Sequence, residues 1–391
     1  MEQDASTDDP AALINIIADR TVYAAYSRVV RTYTVTFKNG STVLQTINDV
    51  PYGGTATYTG ETPVHPTTPS DYAFNGFLPD GTNITGTTEC VAQFRYAGIM
   101  TRKILNKTIP GDYEHTSVEN VGNYAFYGCT SLTSISFPAA TSIGKNAFYI
   151  CNRLANVSLP VATSIDEYAF YGCTSLTSIS LPSTTSINDN VFNGCSNLET
   201  ISLPLVESIG NNTFYNCSLI TNISLPLVES IGYNAFSNCT SLETISLPLV
   251  ESIGYNAFSN CTSLETISLP LVESILNNTF DGCRSLLNVY LPAATEIGQN
   301  AFRYCNQLTR ISLPAVTTFY SNAFNSCTNL TAVVIENTEQ VAVLKANFAT
   351  IFPSATIVYV PDELLNDYKT ANAWKNAVNR IKGISELPEE V

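Results

Sequence analysis

Ten of the chain's eleven cysteines, Cys129, Cys151, Cys173, Cys195, Cys217, Cys239, Cys261, Cys283, Cys305 and Cys327, follow one another at intervals of 22 residues. Thiols in such a file could bridge in pairs, hold a metal, or pack as small hydrophobic groups. If successive units stack, neighbouring cysteines lie about 5 Å apart, an α-carbon spacing that a disulfide allows. In-register side chains on parallel units point the same way, however, which keeps their β-carbons about 5 Å apart, longer than a bridge prefers. A straight file offers zinc no tetrahedral set, and both histidines, His65 and His115, precede it. Buried, reduced thiols without a metal are expected.

Other side chains recur in the same frame. Glu207, Glu229, Glu251 and Glu273 form a file in which neighbouring charges repel by roughly 1 kcal/mol in water and severalfold more when desolvated. The file must face solvent, with a cation-binding strip as the functional alternative. Tyr127, Tyr149 and Tyr171 form another file, and Tyr233 and Tyr255 a pair. Such rings could hold sugars, but packing on one another is the simpler expectation. The monotony fails at one place. Where most units carry Ser seven residues after cysteine, one carries Tyr290, and five after cysteine stand Asn288 and, one unit later, Arg310. These positions alternate with buried ones and share one face. Tyr and Arg are the types most enriched at binding hot spots, with Arg284 and Arg303 adding local positive charge on the same units. Tyr290, Arg310, Asn288, Arg284 and Arg303 are therefore the candidate ligand contacts, drift near the end of the array being the plain alternative. No nucleophile elbow, phosphate loop or metal-ligand spacing is present, so neither catalysis nor a cofactor is expected. His65, in PVHPTTP, reads as a loop residue.

The elements that place these residues follow from the repeat. The phrase ISLPLVESIGYNAFSNCTSLET occupies 223–244 and returns unchanged at 245–266. In TSISLP the apolar residues alternate with Ser or Thr, the period of a strand with one buried face. Proline, which has no amide hydrogen, ends that strand. VESI predicts a second short extended piece, and GYNAFSNC a turn with a short helical or 3₁₀ segment. About six inward side chains per unit, worth roughly 1.5–3 kcal/mol each, cannot offset ordering of the whole unit at roughly 1–2 kcal/mol per residue. A single coil cannot stand alone. Identical coils stack like on like, which accounts for the verbatim copy.

Residues 121–335 resemble the BspA-type (Treponema-type) leucine-rich repeats, whose units read LxxIxLPxxxxxIgxxAFxxC. The resemblance implies an α/β-type, right-handed solenoid with a parallel sheet on its concave side, exposure on a cell surface, and roles in adhesion and binding. About ten coils at about 4.8 Å each would run roughly 45–50 Å. Upstream, residues 31–94 resemble an internalin-type B-repeat, a small β-grasp-like module, with Phe77 where that family has Trp. NIIADRTVYAAY, at 15–26, parallels NITGTTECVAQF, at 83–94, as the last strand of a truncated earlier copy. A B-repeat followed by BspA-type units is an arrangement of gut-bacterial surface proteins and of prophage tail-region proteins. After 335 the phrase breaks down. EQVAVLKANFATIF predicts a helix, ATIVYV a strand, and DELLNDYKTANAWKNAVNRIKG an amphipathic helix whose Trp374 packs on the last coil. The expected divisions are 1–30, a truncated unit; 31–96, the B-repeat-like module; 97–122, an irregular half-coil; 123–335, the solenoid; and 336–391, a helical C-terminal cap.

Composition limits the partners. With 18 basic against 33 acidic residues the formal charge is −15, which argues against nucleic acid and anionic membranes. No apolar run reaches the length of about 18 needed to span a bilayer. Residues 1–20 show no basic start followed by an apolar stretch, and ELPEEV lacks the Thr-Gly of a sortase-type signal, so neither signal peptide nor wall anchor is expected. The expected function is an extracellular, non-catalytic module, acting as a single copy, that binds a host or environmental protein or glycan through a solenoid face. A tail-associated virion component is the alternative.

Overall fold

The structure, a computed structural model, describes residues 111–388 except Ser117 in full. Before them it describes Thr55, Thr57, Thr59 and the backbone of the strands Ala11–Ile16, Arg20–Ser27, Thr32–Asn39, Thr42–Pro51, Ala73–Leu78, Val91–Arg95 and Ile99–Met100. The chain divides into two compact units, Met1–Lys107 and Thr108–Val391. In the first, the four leading strands form an antiparallel sheet in chain order, and Ala73–Leu78 pairs antiparallel with Val91–Arg95. Apart from those strands, the B-repeat-like module, the truncated copy before it, His65 and the start of the half-coil lie outside the described residues.

The second unit is a parallel β-solenoid. One winding shows how the phrase folds. Thr244–Ser246 is a strand in which Ile245 points inward while Thr244 and Ser246 point out. Pro248 turns the chain, Ser252–Ile253 forms the second strand, and GYNAFSNC returns it. Pairing is parallel and in register at 22 residues, Ile223 against Ile245 and Ile231 against Ile253. Each core column therefore stacks on itself. Leu242, Ile245, Leu247, Val250, Ile253, Ala257, Phe258 and Cys261 are all buried. The phenylalanine column makes a continuous stack from Phe126 to Phe324, with centroids 5.0–5.6 Å apart and planes within 18°.

The return segment is neither helical nor 3₁₀, contrary to the expectation for GYNAFSNC. Two residues per coil sit at positive φ, Asn234 at 52° and Asn238 at 62° in one case, and the same two columns do so in every coil from Tyr124 to Ser326. Two left-handed residues four positions apart prevent helix propagation through the segment, and Asn and Gly tolerate that conformation best. Amide hydrogens then alternate in direction. Those of Asn234, Phe236 and Asn238 donate to the next coil at Tyr255, Ala257 and Ser259, at 2.8–2.9 Å, while those of Ser237 and Cys239 close local turns onto Asn234 and Phe236. The turns are thus a third inter-coil ladder. Close approach follows: a Cβ on Gly254 would lie 2.4 Å from the Tyr233 backbone nitrogen.

The winding also runs past the expected ten coils, to about twelve. Asp112–Glu114 already pairs with Ser134–Ser136, and beyond the last cysteine Ala332–Ile335, Ile357–Val360 and Ile381–Gly383 continue the row in parallel. Residues 336–388 form a mixed cap, in which short helical segments alternate with strands that extend the solenoid. The segment expected as its first helix holds the strand Val343–Leu344, paired with Thr318–Phe319, and only a short helix, Phe348–Ile351. The amphipathic helix is broken into the α-helix Leu365–Thr370 and the 3₁₀ segments Asp362–Leu364 and Lys375–Arg380 on either side of it, the second separated because Ala371 is extended at φ −61°, ψ 136°. Two anchors account for the break. The Ala342 amide donates to the Tyr368 hydroxyl at 3.0 Å, and Trp374 Nε1 donates to the Ala342 carbonyl at 2.8 Å. Holding both rings on one residue requires a chain that bends between them. Trp374 packs against Phe348, Phe352 and Tyr368, and Phe352 stacks on Phe324, the last ring of the file.

Candidate ligand-binding groove

Three of the five predicted contacts meet. A groove of about 530 Å³ on the long-strand face is lined by Asn288, Tyr290 and Arg310 together with Thr266, Ser268 and Ser312. Alternation puts them there, since each is an outward residue of its strand while Ile267 and Ile311 are buried between. The groove spans a seam. Asn288–Tyr290 pairs with Thr266–Ser268 and Arg310–Leu313 pairs with Ala332–Ile335, but the two inner strands do not pair with each other. Tyr290 is 59% exposed, the most of the large apolar and aromatic side chains among the described residues, and exposed Leu287 lies beside it. Ser312 donates its hydroxyl hydrogen to Glu336 at the groove's C-terminal side. The arrangement offers a ring face, a guanidinium, an amide and several hydroxyls on an apolar floor. It can bind; it holds no paired acid and base for catalysis.

Arg303 and Arg284 do not line the groove. Arg303 lies on the turn ladder, where Nε donates to Asp281 Oδ1 at 2.9 Å and Nη2 to Oδ2 at 2.5 Å, with its guanidinium 5.3 Å from the Tyr304 ring. Hydrogen bonding to Asp281 raises the pKa of Arg303. Its charge is committed one coil back, a pairing 22 residues apart that the column frame could have revealed. Arg284 is exposed in the turn before the strand, its carbonyl accepting from the Gln307 amide.

A family model described as the BspA-type leucine-rich repeat region matches residues 113–221 and 207–331 in six copies. The chain belongs to this family. Among solved structures, this BspA-type chain is similar to a leucine-rich repeat protein from Bacteroides ovatus at 21% identity and a TM-score of 0.47, covering 81% of this chain and 98% of that one. It is also similar to a leucine-rich cell surface protein from Faecalibacterium prausnitzii at 22% identity and a TM-score of 0.37, covering 86% and 97%. No curated protein sequence matches it. Families of this kind are generally binding or adhesion modules, and no enzymatic family is indicated.

The remaining BspA-type columns fall on other faces. Nine cysteines, Cys151 to Cys327, are buried, and each Sγ donates to a phenylalanine carbonyl 25 residues earlier at 2.8–3.3 Å; Cys129 is half-buried. Burial pushes the Cys151 and Cys195 thiols up to about 12. Among the described residues no three His, Cys, Asp or Glu side chains could share a metal ion. Tyr127, Tyr149 and Tyr171 stack face to face at 4.9 and 4.7 Å, so each inner ring face is occupied by its neighbour. Tyr233 and Tyr255 are exposed.

The four carboxylates of the Glu207 file are exposed, as repulsion requires. Other BspA-type coils place Thr at that column. Thr141, Thr163, Thr295 and Thr317 each donate Oγ1 to the preceding coil's carbonyl at 3.1–3.2 Å. Glutamate forfeits that bond and adds like charge. Glu229→Thr with Glu251→Thr should therefore stabilise the array by about 1–3 kcal/mol and raise its melting temperature by a few degrees. A fall in melting temperature would show that the carboxylates are structural.

Proposed function

We propose that this BspA-type chain is an extracellular, non-catalytic binding and adhesion module that holds a protein or glycan partner in the groove at Tyr290. The observation that carries the reading is the gathering of Tyr290, Arg310 and Asn288 in one groove of an otherwise repetitive, hydroxyl-bearing face. A large exposed ring is costly to leave in water and rewarding to cover, and a neighbouring guanidinium supplies direction. Solenoids present broad surfaces suited to extended partners. Cell-surface exposure is what BspA-type repeats imply, and among the described residues no helix is long and apolar enough to cross a membrane. No feature of the array favours the tail-component alternative.

An array of glycans and extracellular-matrix proteins probed with the full chain should yield a ligand. Tyr290→Ala with Arg310→Ala should then weaken that ligand by about 30-fold or more, the scale of a hot spot, and shift the melting temperature by less than about 2 °C. Undiminished binding by the double variant would remove the groove from the reading. A large loss of melting temperature would make the two residues structural.

A further inference from the structure

The glutamate file has a companion. Two residues before each glutamate stands a leucine, Leu205, Leu227, Leu249 or Leu271, and all four are exposed, at 39–44%. The residue between is buried Val206, Val228, Val250 or Val272, so leucine and glutamate emerge on the same side of the coil. None of these residues lines the Tyr290 groove. The two columns also change together. Coils on either side carry Ala139, Val161, Ser183, Ala293 and Ala315 in place of leucine, and Thr141, Thr163, Thr185, Thr295 and Thr317 in place of glutamate. The fold does not require the exchange. Backbone pairing at the column is the same with either residue, Thr163 N to Thr141 O at 2.8 Å and Glu251 N to Glu229 O at 2.8 Å. Four adjacent coils thus give up a threonine hydrogen bond, accept mutual repulsion and expose a row of leucines. A departure from local consistency on this scale, repeated in register, marks a surface kept for a use.

We propose that the leucine and glutamate files form a docking strip for a cationic amphipathic α-helix of a partner protein, lying along the stacking direction. Charge sets the sign: four carboxylates in file are relieved by lysine or arginine side chains, and no cation of the strip itself meets them. A second copy docking through the same strip would bring four further carboxylates. Spacing sets the form. Coils repeat at about 4.8 Å and helical turns at about 5.4 Å, so three spacings differ by only about 2 Å, within the reach of a lysine side chain. Alternate residues of an extended strand fall about 6.8 Å apart and lose register after one coil. A helix with leucines once per turn and a flanking row of lysines presents both files at once.

The test uses the full chain and a synthetic helical peptide of leucine and lysine, about five turns long, with one leucine stripe beside one lysine stripe. A peptide of identical composition with the stripes permuted is the control, and binding is read by fluorescence anisotropy. The striped peptide should bind at least tenfold tighter than the permuted one and should weaken as salt is raised. Glu207→Thr, Glu229→Thr, Glu251→Thr and Glu273→Thr together should cost at least tenfold in affinity without lowering the melting temperature. Leu205→Ala, Leu227→Ala, Leu249→Ala and Leu271→Ala together should cost as much. Equal binding of the two peptides, or affinity unchanged in both variants, would reduce the effect to general attraction toward an acidic chain and overturn the proposal. A dimer lost in the leucine variant would assign the strip to a second copy and overturn it as well. The Tyr290 groove is untouched by either outcome.

Discussion

Phe236→Ala should lower the melting temperature of the solenoid by about 10 °C. The Phe236 ring is fully buried, stacked 5.1 Å from Phe214 and 5.3 Å from Phe258. Truncating such a ring costs about 3–5 kcal/mol, and about 2–4 °C follows per kcal/mol in a unit of this size. Position matters as much as burial. In a nearest-neighbour array a mid-array defect weakens the interfaces on both sides, so the halves should begin to unfold separately. The thermal transition should broaden as well as shift. Phe236→Ala with Phe258→Ala should cost less than the sum of the two, by about 0.5–1.5 kcal/mol, because the single substitutions each remove the same stacked contact. Circular dichroism melts of the two single variants and the double variant supply the cycle. A shift below about 2 °C for the single change would show that the ring file is not what couples the coils.

How far a sequence discloses such a fold depends on which residues carry its periodicity. Columns 22 residues apart identify the coil, since only like-on-like stacking gives every copy the same apolar positions, and Ile against Ile is the pairing found. Strand parity likewise suffices to bring Tyr290, Asn288 and Arg310 to one face, because outward residues of parallel strands stay in register. Parity fails where the chain is not a strand. Arg303 belongs to the turn ladder, where left-handed residues reset the direction of the side chains, and its partner Asp281 lies one coil away. Those left-handed positions are marked by the recurring Asn and Gly of GYNAFSNC and FYGC, which also suit a helical turn and so admit two readings. The tail misled for a related reason. VAVLKANF and DELLNDYKTANAW have helical spacing, but burial of Trp374 and Tyr368 on Ala342 overrides local preference. The exposed leucines were hidden by their type. Leucine in an apolar repeat reads as core, and only its exchange with Ala, Val and Ser in step with Glu and Thr marks it as surface.

Raising the pH from 8 to 10 should unfold the array, and the cysteine file is the cause. Burial raises the thiol pKa at Cys151, Cys173, Cys195, Cys217, Cys239, Cys261, Cys283 and Cys305. A folded-state pKa above the unfolded value means that the folded chain keeps protons which the unfolded chain releases. That stability is complete below about pH 8.5, the ordinary thiol value, and is lost as pH rises toward the folded values, about 12 for Cys151 and Cys195. At pH 10 each unfolded thiol is about 1.5 units past its pKa, which favours unfolding by about 2 kcal/mol. Eight such groups amount to about 16 kcal/mol, as much as the whole stability of an ordinary domain. Tyr149 and Tyr368, whose pKa values burial also raises, add in the same direction above pH 10. The measurement is the circular dichroism signal against pH under reducing conditions. Cys217→Ala with Cys239→Ala should lower the melting temperature at pH 7 through lost packing yet flatten its pH dependence by about a quarter, two groups of the eight having been removed. Thiol reagents give the kinetic counterpart, because the thiolate is the reacting species. At pH 8 the buried thiols from Cys151 to Cys305 should react far more slowly in native protein than in denaturant, with half-buried Cys129 reacting first. An unchanged melting temperature between pH 8 and 10, or prompt native labelling of the file, would mean that water reaches the spine and that the coils are not sealed against one another.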